Sequence, residues 1–150
     1  SLHDALPILE NILVKFENKE KTKFTLKLTD YEVCKKLKTF TEKCTGRVGT
    51  LKYMAPEILQ GDKYGRECDL WSLGVIIYTL FFKEFPFNGE TDDKLIEQIN
   101  SNENDKLIKK TGNIYLDDLI GKLLKKDPMK RLTWKQYFNH PFFKNSRNIL

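Results

Sequence analysis

The sequence predicts a mainly α fold with one small β-hairpin, and two observations carry this prediction. Residues 69–82 contain no Pro and a single Gly, and their apolar side chains cover every side of a helix. Nearer the N-terminus, two short runs rich in β-branched and aromatic residues flank a charged stretch, which is typical of a hairpin with an exposed turn. A chain of 150 residues is long enough for about one domain with a real core.

The run at 69–82 predicts a central core helix. A helix that is apolar on all sides must be enclosed by the rest of a domain or by lipid. Spanning a bilayer takes about 20 apolar residues, whereas this run is shorter, begins with Asp69 and Ser72, and is followed by Lys83 and Glu84. We therefore expect other segments to pack against it on every side. A buried strand followed by a loop stays the alternative, because β-branched and aromatic residues also suit strands.

The N-terminal elements follow from local signals. Residues 11–16 and 24–29 are the two β-rich runs of the predicted hairpin. Residues 30–49 are polar, rich in Thr and Lys and without a sustained period, so we expect a mobile loop there. Pro56 and Glu57 begin a short helix, since Pro and an acidic residue favour the first helical turn.

Three further helices are predicted after the central one. Thr91 caps a helix that runs to about Asn100, following a turn at 85–89. The other two cover about 115–125 and 133–139, and the second of them again begins with a Thr.

Charge and cysteine content argue against several classes of partner. The net charge of +5 is spread over lysines that lie singly or in pairs beside acidic residues, which is typical of a solvated surface, so we expect no nucleic-acid partner. Cys34, Cys44 and Cys68 are odd in number and lack close metal-ligand spacing, which predicts free thiols in the reducing cytoplasm. No membrane span or cleavable signal is visible, so we expect no membrane partner.

Five motifs, taken together and in this order, resemble the second half of a eukaryotic protein kinase domain. The resemblance covers about 10–143 and implies a protein-kinase-like fold, of which this chain holds the C-terminal lobe only. It is nearest to the calmodulin-dependent-kinase-like serine/threonine type through W-S-L-G-V-I-I-Y-T-L and F-P-F-N-G. The motifs are N-I-L-V at 11–14, K-L-T-D at 27–30, G-T-L-K-Y-M-A-P-E at 49–57, D-L-W-S-L-G at 69–74 and D-P-M-K-R at 127–131.

The resemblance implies a cofactor site at two of these motifs. Asn11 is similar to the catalytic-loop asparagine and Asp30 to the metal-binding aspartate of D-F-G, so both would bind Mg²⁺ and, through it, ATP. Catalysis of phosphoryl transfer depends mainly on positioning the reactants and neutralising the phosphate charge. Oxygen ligands from two loop positions suit Mg²⁺. The alternative roles are a turn residue at the hairpin start for Asn11 and a strand-end cap for Asp30.

The resemblance makes 30–57 the activation segment. Thr50 resembles the threonine that serine/threonine kinases carry in the loop that receives the substrate, which implies Ser/Thr protein substrates. Thr39, Thr41 and Thr45 are candidate sites of phosphorylation by an upstream kinase, because added charge can order such a loop. An unmodified polar loop is the alternative.

Three residues resemble architectural positions of the family. Glu57 and Arg131 would form a buried ion pair, for which a bidentate arginine–carboxylate geometry is well suited. Asp69 would accept hydrogen bonds from backbone N–H groups of the catalytic loop and would support that loop rather than take part in the chemistry.

The chain departs from the family pattern where the catalytic base belongs. The family reads H-R-D-L-K-P-E-N, and counting back from Asn11 places Leu6 at the Asp, which a Leu cannot replace. Ile8 stands where a Lys would neutralise phosphate, and Asp4 lies two residues too early. The catalytic base is therefore missing from its expected position. Glu32 replaces the Gly of D-F-G, which adds a negative charge near the metal site and removes backbone freedom.

Residues 1–9 resemble translated sequencing-adapter sequence and are unlike any catalytic loop. We therefore expect 1–9 to be a non-native segment, 10–143 a partial kinase domain and 144–150 the start of a tail. The chain contains no G-x-G-x-x-G or V-A-I-K of an N-terminal lobe and no helix that precedes the catalytic loop. Without that helix, one flank of the 69–82 helix should stay uncovered, as an apolar patch.

Two functions remain open. The first is a fragment of an ATP- and Mg²⁺-dependent serine/threonine protein kinase, inactive as this chain. The second is a pseudokinase that acts as a binding or scaffold module, which Glu32 favours. A His-Arg-Asp before Asn11 in the native gene would favour the enzyme, and a missing Asp would favour the scaffold.

Overall fold

The computed structural model describes residues 7–30, 37–39, 41–47, 49–101 and 104–145. In order, the elements are a 3₁₀ turn Leu9–Asn11, strands β1 (Ile12–Phe16) and β2 (Phe24–Leu28), a 3₁₀ turn Leu51–Tyr53, and helices α1 (Pro56–Leu59), α2 (Glu67–Phe82), α3 (Asp92–Asn100), α4 (Asn104–Leu107), α5 (Ile114–Leu123), α6 (Trp134–Phe138) and α7 (Pro141–Asn145). Several predictions from the sequence lie outside the described residues, namely those on Asp4, Leu6, Glu32, Cys34 and the tail beyond 145.

The predicted hairpin is confirmed. Strands β1 and β2 pair antiparallel, with Ile12 opposite Leu28 at the open end. At the closed end the Asn18 side chain accepts hydrogen bonds from the backbone N–H groups of Thr22 and Lys23, at 3.0 and 2.9 Å, which fixes the turn. Because side chains alternate along a strand, one face of the hairpin is wholly apolar, and most of it is exposed: Ile12, Val14, Phe16, Phe24, Leu26 and Leu28.

The predicted central helix is confirmed as α2, and the alternative of a strand is wrong. Trp71 is fully buried and stacks on Phe87, with ring centroids 5.6 Å apart. The helix ends at Lys83, whose φ of 60° is left-handed and whose backbone N–H donates to the carbonyl of Thr79 at 2.9 Å. Other segments therefore pack around the first three turns of α2.

The last turn of α2 corrects the prediction of packing on every side. Leu80 and Phe81 are 51% and 50% exposed, whereas Val75 and Ile76 are buried. This exposed flank agrees with the expected uncovered side of the helix. A run that is apolar on every side has no polar face to mark its outside, so periodicity alone could not identify which side is open.

Helix α5 packs closely on α2 at Gly74. A Cβ at Gly74 would lie 2.8 Å from Cβ of Leu123 and 2.9 Å from Cδ2 of Leu124. In α5 itself, a Cβ at Gly121 would meet no heavy atom within 4 Å. The two glycines therefore differ in packing, although both lie inside helices.

This contrast gives a matched prediction. Gly74→Ala is expected to destabilise the fold by about 1–2 kcal/mol, because overpacking outweighs the helix propensity that Ala gains. Gly121→Ala is expected to stabilise it by up to about 1 kcal/mol, because only propensity changes. Urea unfolding of both variants checks this, and a stabilising Gly74→Ala would show that the α2–α5 contact is looser.

The predicted threonine caps are confirmed. The Thr91 side chain accepts from the backbone N–H of Lys94 at the start of α3. Thr133 and Gln136 form a capping box at the start of α6. Helix α5 runs over Ile114–Leu123, slightly shorter than predicted, and α4 and α7 were not predicted, because helices of four or five residues are too short for a periodic pattern.

The cysteines and the hydropathy of the helices complete the description of the fold. Cys44 and Cys68 are free thiols, as predicted. Among the residues that the structure describes, none of the helices has the length and hydropathy needed to cross a membrane.

Ile8 belongs to the segment 1–9 that we expect to be non-native. In the structure its side chain is buried in the main hydrophobic core.

Candidate functional site

The open end of the hairpin brings Asn11 and Asp30 together. The backbone N–H of Thr29 donates to the carbonyl of Asn11 at 2.9 Å, which extends the strand pairing by one residue beyond Ile12 and Leu28. Asp30 follows directly, and Nδ2 of Asn11 donates to Oδ2 of Asp30 at 3.4 Å. The antiparallel register therefore fixes the spacing of these two side chains.

The backbone of Asp30 is strained. Its φ of 63° lies in the left-handed region, which costs a non-Gly residue of order 1–2 kcal/mol. Asp is among the few residues that tolerate this region. Strain of this kind is common at ligand sites, where the backbone holds a side chain in a working orientation.

The oxygen atoms of this pair suit a magnesium ion that keeps most of its water ligands. Among the described residues no group of three or more His, Cys, Asp or Glu side chains could hold a metal ion. Asp30 is exposed and Asn11 half-buried, so their oxygens are accessible at the hairpin end. Mg²⁺ is commonly bound by one or two protein oxygen ligands with waters and substrate phosphates completing its octahedron. The pair therefore fits such an ion.

The turn Leu51–Tyr53 is held between this site and the central helix. Tyr53 is 1% exposed, and its hydroxyl donates to Oε2 of Glu10 at 3.1 Å. Burial, together with the Glu10 charge, raises the pKa of Tyr53 to about 12, so the phenol stays a hydrogen-bond donor at neutral pH. Oγ of Ser72, in α2, donates to the carbonyl of Tyr53 at 2.8 Å.

The predicted substrate-loop and phosphorylation residues lie in the segment before α1. Thr50 is half-buried, and its carbonyl accepts from the N–H of Tyr53 at 2.9 Å. Thr39, Thr41 and Thr45 are exposed, and the hydroxyls of the first two lie 3.3 Å apart. Exposed hydroxyls are accessible to a modifying enzyme, but the roles of these residues stay predictions.

Glu57 and Arg131 form a buried ion pair between α1 and the segment before α6. Nη1 and Nη2 of Arg131 donate to the two carboxylate oxygens of Glu57 at 2.8 and 3.0 Å, a bidentate geometry. The guanidinium also donates to the carbonyls of Lys125 and Glu67, at 3.1 and 2.8 Å, and lies 5.3 Å from the ring centroid of Trp71. One arginine thereby joins α1, α2 and the chain after α5.

Asp69 lies in the first turn of α2 and is half-buried. Burial raises the pKa of its carboxyl to about 6, although the Cys68 thiol, 3.8 Å away, donates to it. Burial also raises the pKa of that thiol, so Cys68 stays protonated. Of the loop that the resemblance implies as the donor to Asp69, residues 4–6 lie outside the described part of the chain, and this role of Asp69 stays a prediction.

Sequence patterns did not indicate two of the contacts that hold the site. Glu10 and Tyr53 are 43 residues apart, and no local spacing joins them. The hydrogen bonds of Arg131 to backbone carbonyls could not be predicted either, because every residue carries a carbonyl and no residue type identifies the acceptor. Only an acidic residue beside Asn11 and an aromatic residue in the substrate loop could have suggested the first contact.

Comparisons with known proteins agree with these motifs. The family described as "Protein kinase domain" matches residues 9–143. A probable inactive serine/threonine-protein kinase of Dictyostelium discoideum is 36% identical over 109 residues, which are 65% of this chain and 12% of that protein. Serine/threonine-protein kinase ATG1c of Arabidopsis thaliana is 37% identical over 102 residues, 67% of this chain and 14% of the relative. Serine/threonine-protein kinase ULK3 of Mus musculus is 36% identical over 118 residues, 78% of this chain and 25% of the relative. The chain thus spans at most a quarter of the length of these three proteins.

Proposed function

Because this chain belongs to the eukaryotic protein kinase family, we propose that it is part of a serine/threonine kinase that transfers the terminal phosphoryl group of ATP to protein hydroxyls. The observation that carries this proposal is the pairing of Asn11 with Asp30 at the hairpin end. Relatives named as serine/threonine-protein kinases support the substrate class. We place the chain in the C-terminal lobe of an intracellular kinase and, from its W-S-L-G and F-P-F-N-G motifs, in the calmodulin-dependent type.

In this proposal Asn11 and Asp30 hold Mg²⁺ through the amide oxygen and the carboxylate. Bound there, Mg²⁺ would supply positive charge that neutralises the phosphates of ATP. The chain's own part is positioning. The Thr29–Asn11 backbone bond sets the distance between the two ligands, and the left-handed backbone of Asp30 orients its carboxylate.

The remaining predicted residues support the substrate side of the same site. Thr50 would line the loop that receives the protein substrate, and the Glu57–Arg131 pair would hold the helix that follows that loop. Asp69 would accept backbone N–H groups of the catalytic loop. Phosphorylation of the exposed Thr39, Thr41 or Thr45 by an upstream kinase would order the segment.

The 150 residues alone are proposed to be inactive. Leu6 stands where the family carries its catalytic base, and a hydrocarbon side chain cannot accept the proton of the attacking hydroxyl. Residues 1–9 stay, as a hypothesis, a non-native segment that replaces the native catalytic loop.

A scaffold function is the second candidate, and two observations favour it. Glu32 stands in the sequence where the family carries the D-F-G glycine, and by this resemblance it would add a negative charge near the proposed metal ligands. One of the relatives is itself named as a probable inactive kinase. A kinase-like domain without catalysis would act through binding alone.

A phosphotransfer assay separates the two candidates. The full-length protein, with its native sequence before Asn11, is incubated with radiolabelled ATP, Mg²⁺ and Ser/Thr-containing protein substrates. The kinase proposal predicts labelled phosphoserine or phosphothreonine that disappears with EDTA, while the 150-residue chain stays inactive. No transfer by the full-length protein, in the presence of an intact His-Arg-Asp, would contradict the enzyme and favour the scaffold.

A further inference from the structure

A surface groove of about 760 Å³ lies between three segments that do not belong to the hairpin. One wall is α1 with the loop that follows it, the second is the residue after α3, and the third is the chain between α5 and α6. The volume falls in the range of about 300–1,000 Å³ that binding pockets for small ligands occupy. Among the described residues, four lysines line the groove: Lys63, Lys125, Lys126 and Lys130.

Two hydrogen bonds to one residue hold the walls of the groove together. Nε2 of Gln60 donates to Oδ1 of Asn100 at 2.7 Å, which joins the end of α1 to the end of α3. Nζ of Lys126 donates to the backbone carbonyl of Asn100, which joins the chain after α5 to the same point. The groove is therefore built by packed segments, and it brings together lysines from two distant parts of the sequence.

Positive charge outweighs negative charge along the groove. The Glu57 charge is balanced by Arg131, whose guanidinium donates to both carboxylate oxygens at 2.8 and 3.0 Å. Oδ1 of Asp127 accepts from the backbone N–H of Met129 at 2.8 Å, and Oδ2 lies 4.0 Å from Nζ of Lys130. The groove therefore attracts anions, although three carboxylates stand beside its four lysines. The carboxylates that line it are those of Glu57, Asp62 and Asp127.

A phosphate group on a peptide suits this lining. A phosphate monoester carries nearly two negative charges at neutral pH and three acceptor oxygens, so it can contact several ammonium groups at once. None of the described residues that line the groove is aromatic, so a nucleic-acid base would find no ring on which to stack. The proline rings and the uncharged polar side chains of the lining suit contacts with a peptide chain instead: Pro56, Pro128, Gln60 and Ser101.

We propose that this groove binds a phosphorylated serine or threonine in a segment of a partner protein, with the phosphate held by lysines from two of its walls. The site is separate from the pair Asn11 and Asp30, and the inference does not depend on the proposed phosphotransfer. Lys63 and Lys130 are exposed, whereas the other two lysines of the groove are half-buried. The exposed pair can therefore be exchanged with little effect on packing.

The test uses the full-length protein and an array of short peptides that carry a central phosphoserine, phosphothreonine or serine within varied flanking residues. Fluorescence anisotropy is expected to show that wild type binds its best phosphopeptide roughly tenfold or more tightly than the unphosphorylated counterpart. Lys63→Glu combined with Lys130→Glu should remove this preference. Lys19→Glu combined with Lys135→Glu, at exposed lysines outside the groove, should keep it. The proposal is overturned if no phosphopeptide is preferred, or if the groove variant binds the phosphopeptide as tightly as wild type.

Protection of lysines from acetylation is a second measurement, which needs no variant and so does not depend on how a variant folds. Wild type is treated with acetic anhydride with and without the best phosphopeptide, and mass spectrometry locates the modified lysines. Lys63 and Lys130 should react several-fold more slowly with the peptide bound, while Lys19 and Lys135 should react equally in both samples. Equal reactivity of the groove lysines would overturn the proposal. Protection by inositol trisphosphate but by no phosphopeptide would assign the groove to a small anion, which would also overturn it.

Discussion

Arg131→Met is expected to lower the free energy of unfolding of the domain by about 3–5 kcal/mol. The side chains of Arg131 and Glu57 are 0% and 7% exposed, so the substitution leaves a carboxylate buried without its counter-ion. The carbonyls of Lys125 and Glu67 lose their guanidinium donors at the same time. Desolvated groups without partners account for most of the expected loss.

The control for this substitution is the neighbouring residue. Lys130→Met removes a cation that is 77% exposed and lies 4.0 Å from Asp127, so it should change stability by less than about 1 kcal/mol. Urea unfolding, followed by tryptophan fluorescence, measures both variants. A loss below about 1 kcal/mol for Arg131→Met would show that the pair does not hold the fold together.

Asp30→Asn in the full-length protein is expected to lower kcat for phosphotransfer by roughly 100-fold or more. The change keeps the size of the side chain but removes the negative charge proposed to bind Mg²⁺. Removal of a single group that stabilises charge in the transition state lowers kcat by about two to three orders of magnitude. The side chain is exposed, and within the described part of the chain it accepts a single long hydrogen bond, of 3.4 Å from Asn11, so folding should be little affected.

The matched control is Asp62→Asn, since Asp62 is an exposed carboxylate in the loop after α1. It should retain phosphotransfer within about threefold. Initial rates over a range of Mg²⁺ concentrations, with thermal melting as a check of folding, compare the variants. Equal activity of Asp30→Asn and the wild type would remove Asp30 from the site.

The elements that the sequence predicted correctly are those whose signals are local. The apolar run of α2, the β-rich runs of the hairpin and the threonines that begin α3 and α6 are signals that act within a few residues. The open flank at Leu80 and Phe81 could not be located from a run that is apolar on all sides. The family resemblance predicted an uncovered flank of α2, but not which residues form it.

The site shows the same division between local and distant signals. Asn11 and Asp30 could be selected by motif, and the strand register then explains why they meet. The contact of Glu10 with Tyr53 and the several carbonyl bonds of Arg131 depend on how distant segments pack. Such contacts arise only once the core has formed, so neither composition nor periodicity could predict them.

The most direct test of the account is anomalous diffraction from crystals of the full-length protein grown with Mn²⁺ and a non-hydrolysable ATP analogue. Mn²⁺ prefers the same oxygen ligands as Mg²⁺ and gives an anomalous signal. The account predicts a peak about 2.0–2.3 Å from oxygens of both Asp30 and Asn11, bridging to the phosphates. A nucleotide bound without metal at these two residues, or a metal ion held by other side chains, would contradict it.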